Sequence, residues 1–265
     1  MLVRFVPAAV LASFAFLSNA VAQGCPANAL GTSRVIAIDP SEHRRLGYIQ
    51  YGETLPLHDH EVVLTFDDGP IPPYTAKVLD ALAAECVKAT FFVVGQQAQA
   101  HPDLVQREYR EGHTIATHSE HHPHLNHMPV DAATKDIADG IASAGKALGN
   151  PNAVAPFFRF PYLDPTRATE ESAFKMGLTI WSADLHGSDW NLVGPEYVVS
   201  TTISRLERRR KGIVLLHDIH QRTALALPMM LRELKARGFH IVQAVPADST
   251  HPKTQAKPVE WMVTN

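Results

Sequence analysis

VVLTFDDGP, residues Val62 to Pro70, is a run of β-formers that ends on two adjacent carboxylates and a Gly-Pro turn. Val62, Val63, Leu64, Thr65 and Phe66 specify a short buried strand, and Gly69-Pro70 stops it. Asp67 and Asp68 therefore stand where a strand opens into a loop. Adjacent side chains diverge there, so one carboxylate can hold a metal while its neighbour faces a substrate. A strand-capping acidic turn satisfies the same residues. The rest of the chain has to separate the two readings.

From Glu61 onward, strand and helix patterns alternate. Helix periodicity runs over 74–85, 103–111, 131–148, 165–176, 195–211 and 223–237, with glycines after most of these segments. Strand patterns occupy 88–94, 113–117, 157–160, 178–183, 212–216 and 239–245. With the opening strand these make seven strands and no internal linker, which predicts a single α/β domain. A parallel barrel and an open doubly wound sheet both fit that alternation. The polar residues discriminate: Asp67-Asp68, His118, Arg159, Asp184 and His217 each follow or end a different strand. Chemistry spread over many strand ends is the barrel arrangement, whereas an open sheet gathers its site at one switch point. The expected fold is α/β, an irregular (β/α)7-type barrel over 61–245. An N-terminal wrap at 23–60, with one strand at 34–38, precedes it, and a polar surface tail at 246–265 follows.

Composition narrows the partners. The 265 residues carry a formal charge of −3, which gives no reason to expect nucleic acid. Arg4, the apolar run Val6 to Leu17 and the small residues Ala20-Val21-Ala22 form a cleavable signal peptide over 1–22. The run is too short to span a bilayer as a mature helix, so a secreted or periplasmic protein without a stable membrane anchor is expected. Cys25 and Cys86 can pair in such a compartment, or Cys86 can remain a buried thiol.

Seven of the fifteen histidines lie between His101 and His127, which makes a metal the first possibility to test. His118 and His122 stand four apart, and a helical turn there would turn both rings to one side. With Asp68 they make a three-ligand set that leaves positions open, the pattern of catalytic rather than structural zinc. His121, His124 and His127 are then expected at the surface or behind the ligands. Surface histidines in a loop are the plainer reading of the cluster.

Five motifs in order, TFDDGP (65–70), HSEHHPHL (118–125), RFPY (159–162), SDW (188–190) and LLH (215–217), make the chain resemble the polysaccharide deacetylases, the NodB-homology carbohydrate esterases of family four. The resemblance covers about residues 60–245. It implies a metal-dependent hydrolase that removes acetyl groups from N-acetylated glycans. The family's substrates include chitooligosaccharides, peptidoglycan and other N-acetylglucosamine polymers. Position by position, it implies Asp67 as general base, paired with Arg159, and Asp68, His118 and His122 as ligands of a divalent ion. Zinc is the expected ion, with cobalt or another divalent ion acceptable to the same donors. It further implies the Tyr162 backbone N–H as oxyanion donor and His217 as general acid, partnered by Asp189. Trp190 and Leu215 would shape an acetyl slot, although Leu215 reads equally well as core.

The fourth motif departs from the family pattern. Where a second aspartate is usual, three before Asp189, this chain has His186, and the earlier acid is Asp184. Asp184 is left as either a supporting acid or a strand-end cap, while Asp218 and His220 are expected as exposed loop residues. The same site would serve an O-acetyl xylan ester or a cyclic imide. A non-catalytic glycan-binding protein is the reading from a different class, and it predicts loss of a reactive residue. None of those implied by the resemblance is missing.

Overall fold

The computed structural model describes residues 24–263. The signal-peptide expectation therefore lies outside the described residues. Among the described residues there are ten strands: β1 (Thr32–Ile38), β2 (Arg45–Leu46), β3 (Glu61–Asp67), β4 (Thr90–Val93), β5 (Thr114–Thr117), β6 (Phe157–Phe158), β7 (Thr179–Trp181), β8 (Leu185–His186), β9 (Gly212–His217) and β10 (His240–Pro246). Eight α-helices join them: α1 (Tyr74–Ala84), α2 (Gly95–Ala100), α3 (Pro102–Arg110), α4 (Val130–Leu148), α5 (Arg167–Lys175), α6 (Pro195–Arg209), α7 (Gln221–Ala236) and α8 (Pro258–Trp261).

Every strand ladder is parallel. Starting at β8, the ladders run to β9, β3, β4, β5, β6, β7 and β2. The chain passes directly from β7 to β8 through Ser182, Ala183 and Asp184, with no ladder between these two strands among the described residues. The result is a mixed α/β single domain with an irregular parallel sheet whose seam is crossed by the chain itself. β10 pairs with the base of β3 and carries β1 on its other edge. Thr114 at the base of β5 also reaches it, donating its hydroxyl to the Ala244 carbonyl at 2.7 Å.

β3 is buried along its whole length, as a central parallel strand must be, and its side chains divide by alternation. Val62, Leu64 and Phe66 join the large core beneath the helices, with Val78, Leu82, Leu227 and Leu231. Val63 faces the inner core, among Phe92, Phe157, Trp181 and Ile213. Thr65 and Asp67 continue that inner face toward the C-terminal rim. Alternation thus delivers a carboxylate to the inside of the sheet at the end of the strand.

The helices follow the sequence closely where caps are present. α4 ends at Gly149 in the left-handed conformation (φ 67°), and α5 starts on a reciprocal Thr166–Thr169 capping box. Three features depart from expectation. α2 begins at Gly95, which reads in the sequence as a strand stop. β2 and β8 have two residues each, too short to show a period. The tail is not wholly superficial: Trp261 is buried, its side chain belongs to the inner core, and it stacks on His43 at 3.4 Å between ring centroids. The polar residues around Trp261 conceal one large apolar side chain that gains by leaving water. Cys25 and Cys86 form a disulfide that ties the start of the described chain to the end of α1.

Candidate active site

The C-terminal ends of the strands converge on a cleft of about 1280 Å³. Asp67 and His217 are directly paired in register across β3 and β9. Asp68, one residue beyond β3, adopts φ 77°, a left-handed conformation that an aspartate tolerates better than most residues. That turn separates the two carboxylates. Behind it Gly69 is pressed against Asp218, where an added Cβ would come within 2.1 Å of the Asp218 carboxylate. A side chain at Gly69 would force either the Asp218 carboxylate or the Asp67-Asp68 turn to shift.

Asp67 is buried and faces Arg159, with 2.6 Å from Nη1 to Oδ1. Arg159 is itself fully buried and over-determined. Nη1 also donates to Thr65 Oγ1 at 2.9 Å, Nη2 donates to the Ser182 carbonyl at 2.8 Å, and the guanidinium lies 4.2 Å over the Phe92 ring. A buried charge of this kind persists only when paired and hydrogen-bonded. Asp67 is its carboxylate partner, and the position of the base candidate is fixed by that pair.

Asp68, His118 and His122 bring one donor atom each to within 4.8 Å of one another. Asp68 Oδ1 is 3.1 Å from His122 Nε2 and 3.5 Å from His118 Nε2. Neither contact has hydrogen-bond geometry, so this buried oxygen has no donor among the described residues. His118 Nδ1 lies 2.6 Å from the Arg159 carbonyl, which requires the proton on Nδ1 and leaves the Nε2 lone pair facing Asp68. Burial lowers the His118 pKa, against the pull of Asp67 and Asp68. Asp68 is held well below the usual carboxylate range: burial opposes ionisation, but His122, His118 and His217 outweigh it. Two imidazole nitrogens and a carboxylate held ionised, around an oxygen without a donor, suit a divalent cation.

The histidine loop is not the helical turn that the i, i+4 spacing suggests. Ser119 (φ 66°) and His122 (φ 55°) are both left-handed, and His122 N–H donates to Ser119 Oγ at 3.1 Å. α4 braces this loop. Asp136 Oδ1 accepts from the N–H groups of Glu120 and His121, and Oδ2 is 2.7 Å from His121 Nδ1. Gly140 lets the helix approach so closely that a Cβ there would lie 2.5 Å from the Ser119 carbonyl carbon. His121 therefore points to α4 and is largely exposed, away from the donor triangle. His124 is exposed and does not line the cleft. It stacks on Tyr162 at 3.8 Å and 11°, with His127 stacked behind it. Asp136 and Gly140 had no legible signal, since each looks like an ordinary helix residue.

On the opposite wall, His217 Nδ1 is 2.9 Å from Asp189 Oδ1, and its backbone N–H donates to Asp189 Oδ2 at 2.7 Å. Thr223 Oγ1 donates to the same Oδ2 at 2.6 Å. Burial disfavours charge on His217, but Asp189, with Asp68 and Asp67, raises its pKa to about 9. The imidazolium is thus available as a proton donor over the neutral range. Trp190 stands edge-on to His217 at 5.8 Å, half exposed, while Leu215 is buried in the inner core and also lines the cleft. Tyr162 adopts φ 61° in a turn that follows Pro161 and lies at the cleft mouth with its ring exposed.

Asp184 is a strand-end tie: Oδ1 accepts from Tyr48 N–H and Thr54 Oγ1, and Oδ2 accepts from Ile213 N–H, all at 2.8 Å. His186 lines the cleft beside Trp190, at 4.5 Å between ring centroids. Asp218 is fully buried rather than exposed, and Thr75 donates to it. Burial raises its pKa to about 7, Thr75 works against that, and Asp68 and Asp67 add to it. A short loop after a strand carries no local sign that α1 will cover it, which is why Asp218 reads as exposed in the sequence.

The same geometry has relatives. A sequence profile of the family described as "Polysaccharide deacetylase" matches residues 55–181. The peptidoglycan-N-acetylglucosamine deacetylase PgdA of Listeria monocytogenes is 36% identical over 184 residues, which is 68% of this chain and 37% of that protein. The match thus spans little more than a third of that relative's length. The chitooligosaccharide deacetylase of a Bradyrhizobium strain is 34% identical over 198 residues, covering 68% of this chain and 87% of the relative. Among solved structures, the Bdellovibrio bacteriovorus peptidoglycan deacetylase Bd3279 superposes with a TM-score of 0.74 at 28% identity, over 86% of this chain and 64% of the other. With five motifs gathered on one cleft and a relative of 34% identity matched over 87% of its length, the chain belongs to the polysaccharide deacetylase family.

Proposed function

We propose that this protein is a metal-dependent deacetylase of N-acetylated glycans that acts outside the cytoplasm, with residues 61–245 as its catalytic domain. The observation that carries the reading is the division of the adjacent carboxylates, Asp67 to Arg159 and Asp68 to two imidazole nitrogens. Asp68, His118 and His122 would hold the cation. Bound there, a zinc or similar ion supplies Lewis acidity toward the acetyl carbonyl and toward water.

The chain's own residues then divide the proton work. Asp67, fixed by Arg159, takes the proton from the attacking water. The Tyr162 N–H donates to the oxygen on which charge develops, and Pro161 before it has no N–H to offer. His217, kept protonated by Asp189, gives its proton to the departing sugar nitrogen. Trp190 and Leu215 form the apolar wall against the acetyl methyl. The C–N bond breaks to leave a neutral amine and acetic acid, which gives its proton to the amine in solvent, and passage of the Asp67 proton to His217 restores base and acid.

Release of acetate from N-acetylated chitooligosaccharides by zinc-loaded protein tests the reading, with acetyl xylan as the ester comparison. Release from the amide substrate that stops with a chelator and returns with zinc is expected. No release from either substrate in the presence of zinc would overturn it, and release from acetyl xylan alone would make the protein an O-acetyl esterase.

A further inference from the structure

One wall of the cleft is built from residues outside the five motifs. On α6, Arg205, Arg208 and Arg209 line the cleft together with Tyr48 from the segment after β2. Among the described residues, none of the three makes an ion pair, whereas their neighbour Arg210 pairs with Asp59 and Arg237 pairs with Glu207 and Glu233. The acids that could neutralise them are committed elsewhere. Glu207 on the same helix goes to Arg237, and both oxygens of Asp184 are taken by Tyr48, Thr54 and Ile213.

Two of the three guanidinium groups, those of Arg205 and Arg209, are anchored on the wall, and Arg208 beside them is exposed. Arg209 lies 3.9 Å over the Tyr48 ring, and its Nε is buried with no acceptor. Arg205 Nη1 contacts the His186 carbonyl at 2.6 Å, His186 Nδ1 at 2.7 Å and Ser188 Oγ at 3.1 Å. Arg208 donates to Ser204 Oγ at 2.7 Å. Basic side chains in the last turn of a helix are favoured by its dipole, which accounts for Arg208 and Arg209 being basic. It does not account for a buried, unpartnered Nε on the cleft wall, nor for Arg205 a turn earlier. The wall is continuous with the chemistry. His217 meets Trp190 at 5.8 Å, Trp190 meets His186 at 4.5 Å, and His186 meets Arg205.

We propose that Arg205, Arg208 and Arg209 form a carboxylate-binding subsite, so that the preferred glycan carries an acidic sugar next to the N-acetylated one. This rests on the glycan-deacetylase reading and names its substrate class. Guanidinium forks match a carboxylate in shape and charge, and half-exposed Trp190 beside His186 offers apolar surface to the intervening sugar. A carboxylate reaches such a position as the lactyl group of a muramic acid or as the C6 acid of a uronate. Both present the same planar anion.

Binding separates this proposal from the reading it rests on. Dissociation constants are measured by calorimetry on the mature, disulfide-bonded chain at low salt. The three ligands are chitotetraose, a tetrasaccharide alternating N-acetylglucosamine with N-acetylmuramic acid, and one alternating N-acetylglucosamine with glucuronic acid. At least one acidic chain should bind about tenfold or more tighter than chitotetraose, and the one that does identifies the source of the carboxylate. The double substitution Arg208→Gln/Arg209→Gln should remove that preference, while Arg110→Gln, an exposed arginine outside the cleft, should leave it intact. Circular dichroism confirms that the variants fold. Equal affinity for all three chains, or a preference that survives the double substitution, overturns the subsite. Acetate release, measured in parallel, tests the deacetylase reading independently.

Discussion

His118 Nδ1 lies 2.6 Å from the backbone carbonyl of Arg159, and the guanidinium of the same Arg159 lies 2.6 Å from Asp67. One residue therefore orients a candidate metal ligand with its main chain and the candidate base with its side chain. The two roles can be separated by substitution, because a side-chain change leaves the carbonyl in place.

Arg159→Met should lower kcat by about 10²- to 10³-fold while the protein still binds one equivalent of zinc. It should also destabilise the fold by about 3–5 kcal/mol, since it leaves Asp67 buried without its charge partner. Steady-state kinetics, metal analysis and denaturant unfolding check the three parts. Loss of zinc in step with activity would mean that the guanidinium, not the carbonyl, sets the ligand geometry.

The alkaline limb of activity should belong to His217. Its pKa is raised, so the protonated acid persists through neutrality and is lost as pH rises through about 9. A cation at Asp68 offsets that carboxylate's share of the shift, so the limb of the loaded protein falls at or below this value. Asp189→Asn removes the principal partner and should move the limb toward the ordinary histidine value of 6.5, with the acidic limb unmoved. A kcat–pH profile that keeps the same alkaline limb in the variant would assign the acid to another group. The linkage to stability has the same sign: the His217–Asp189 pair contributes below the ordinary histidine pKa and is lost as pH rises through the raised one.

The Cys25–Cys86 disulfide spans 61 positions of sequence. Closing a loop of that length in the unfolded chain is worth about 4 kcal/mol in the chain-entropy account. Reduction, or Cys25→Ser/Cys86→Ser, should lower the thermal midpoint clearly while leaving kcat at 25 °C within about twofold, because neither cysteine lines the cleft. An unchanged midpoint would show that the unfolded chain gains nothing from losing the bridge.

What the sequence made legible is tied to periodicity and to motif. The β-formers Val62 to Phe66 specify a buried strand that ends on two carboxylates, and β3 is that strand. The strand-end positions of His118, Arg159 and His217 indicated a ring of chemistry rather than one crevice. Other features depend on contacts distant in sequence. The left-handed Ser119 and His122 are stabilised by α4 through Asp136 and Gly140, so the motif's own spacing misdescribes its shape. Asp218 is buried by Thr75 and Gly69, and Trp261 by its stack on His43. The arginines of α6 read as a basic helix end, and only their shared wall with His186 and Tyr48 gives them a second meaning.

The central claim is that neighbouring carboxylates have separate tasks. Its most direct test is zinc stoichiometry measured beside acetate release for Asp67→Asn and Asp68→Asn. Asp67→Asn should retain about one equivalent of zinc and lose activity by about 10²-fold or more, while Asp68→Asn should lose both. Loss of zinc in Asp67→Asn, or full zinc binding in Asp68→Asn, would contradict the division.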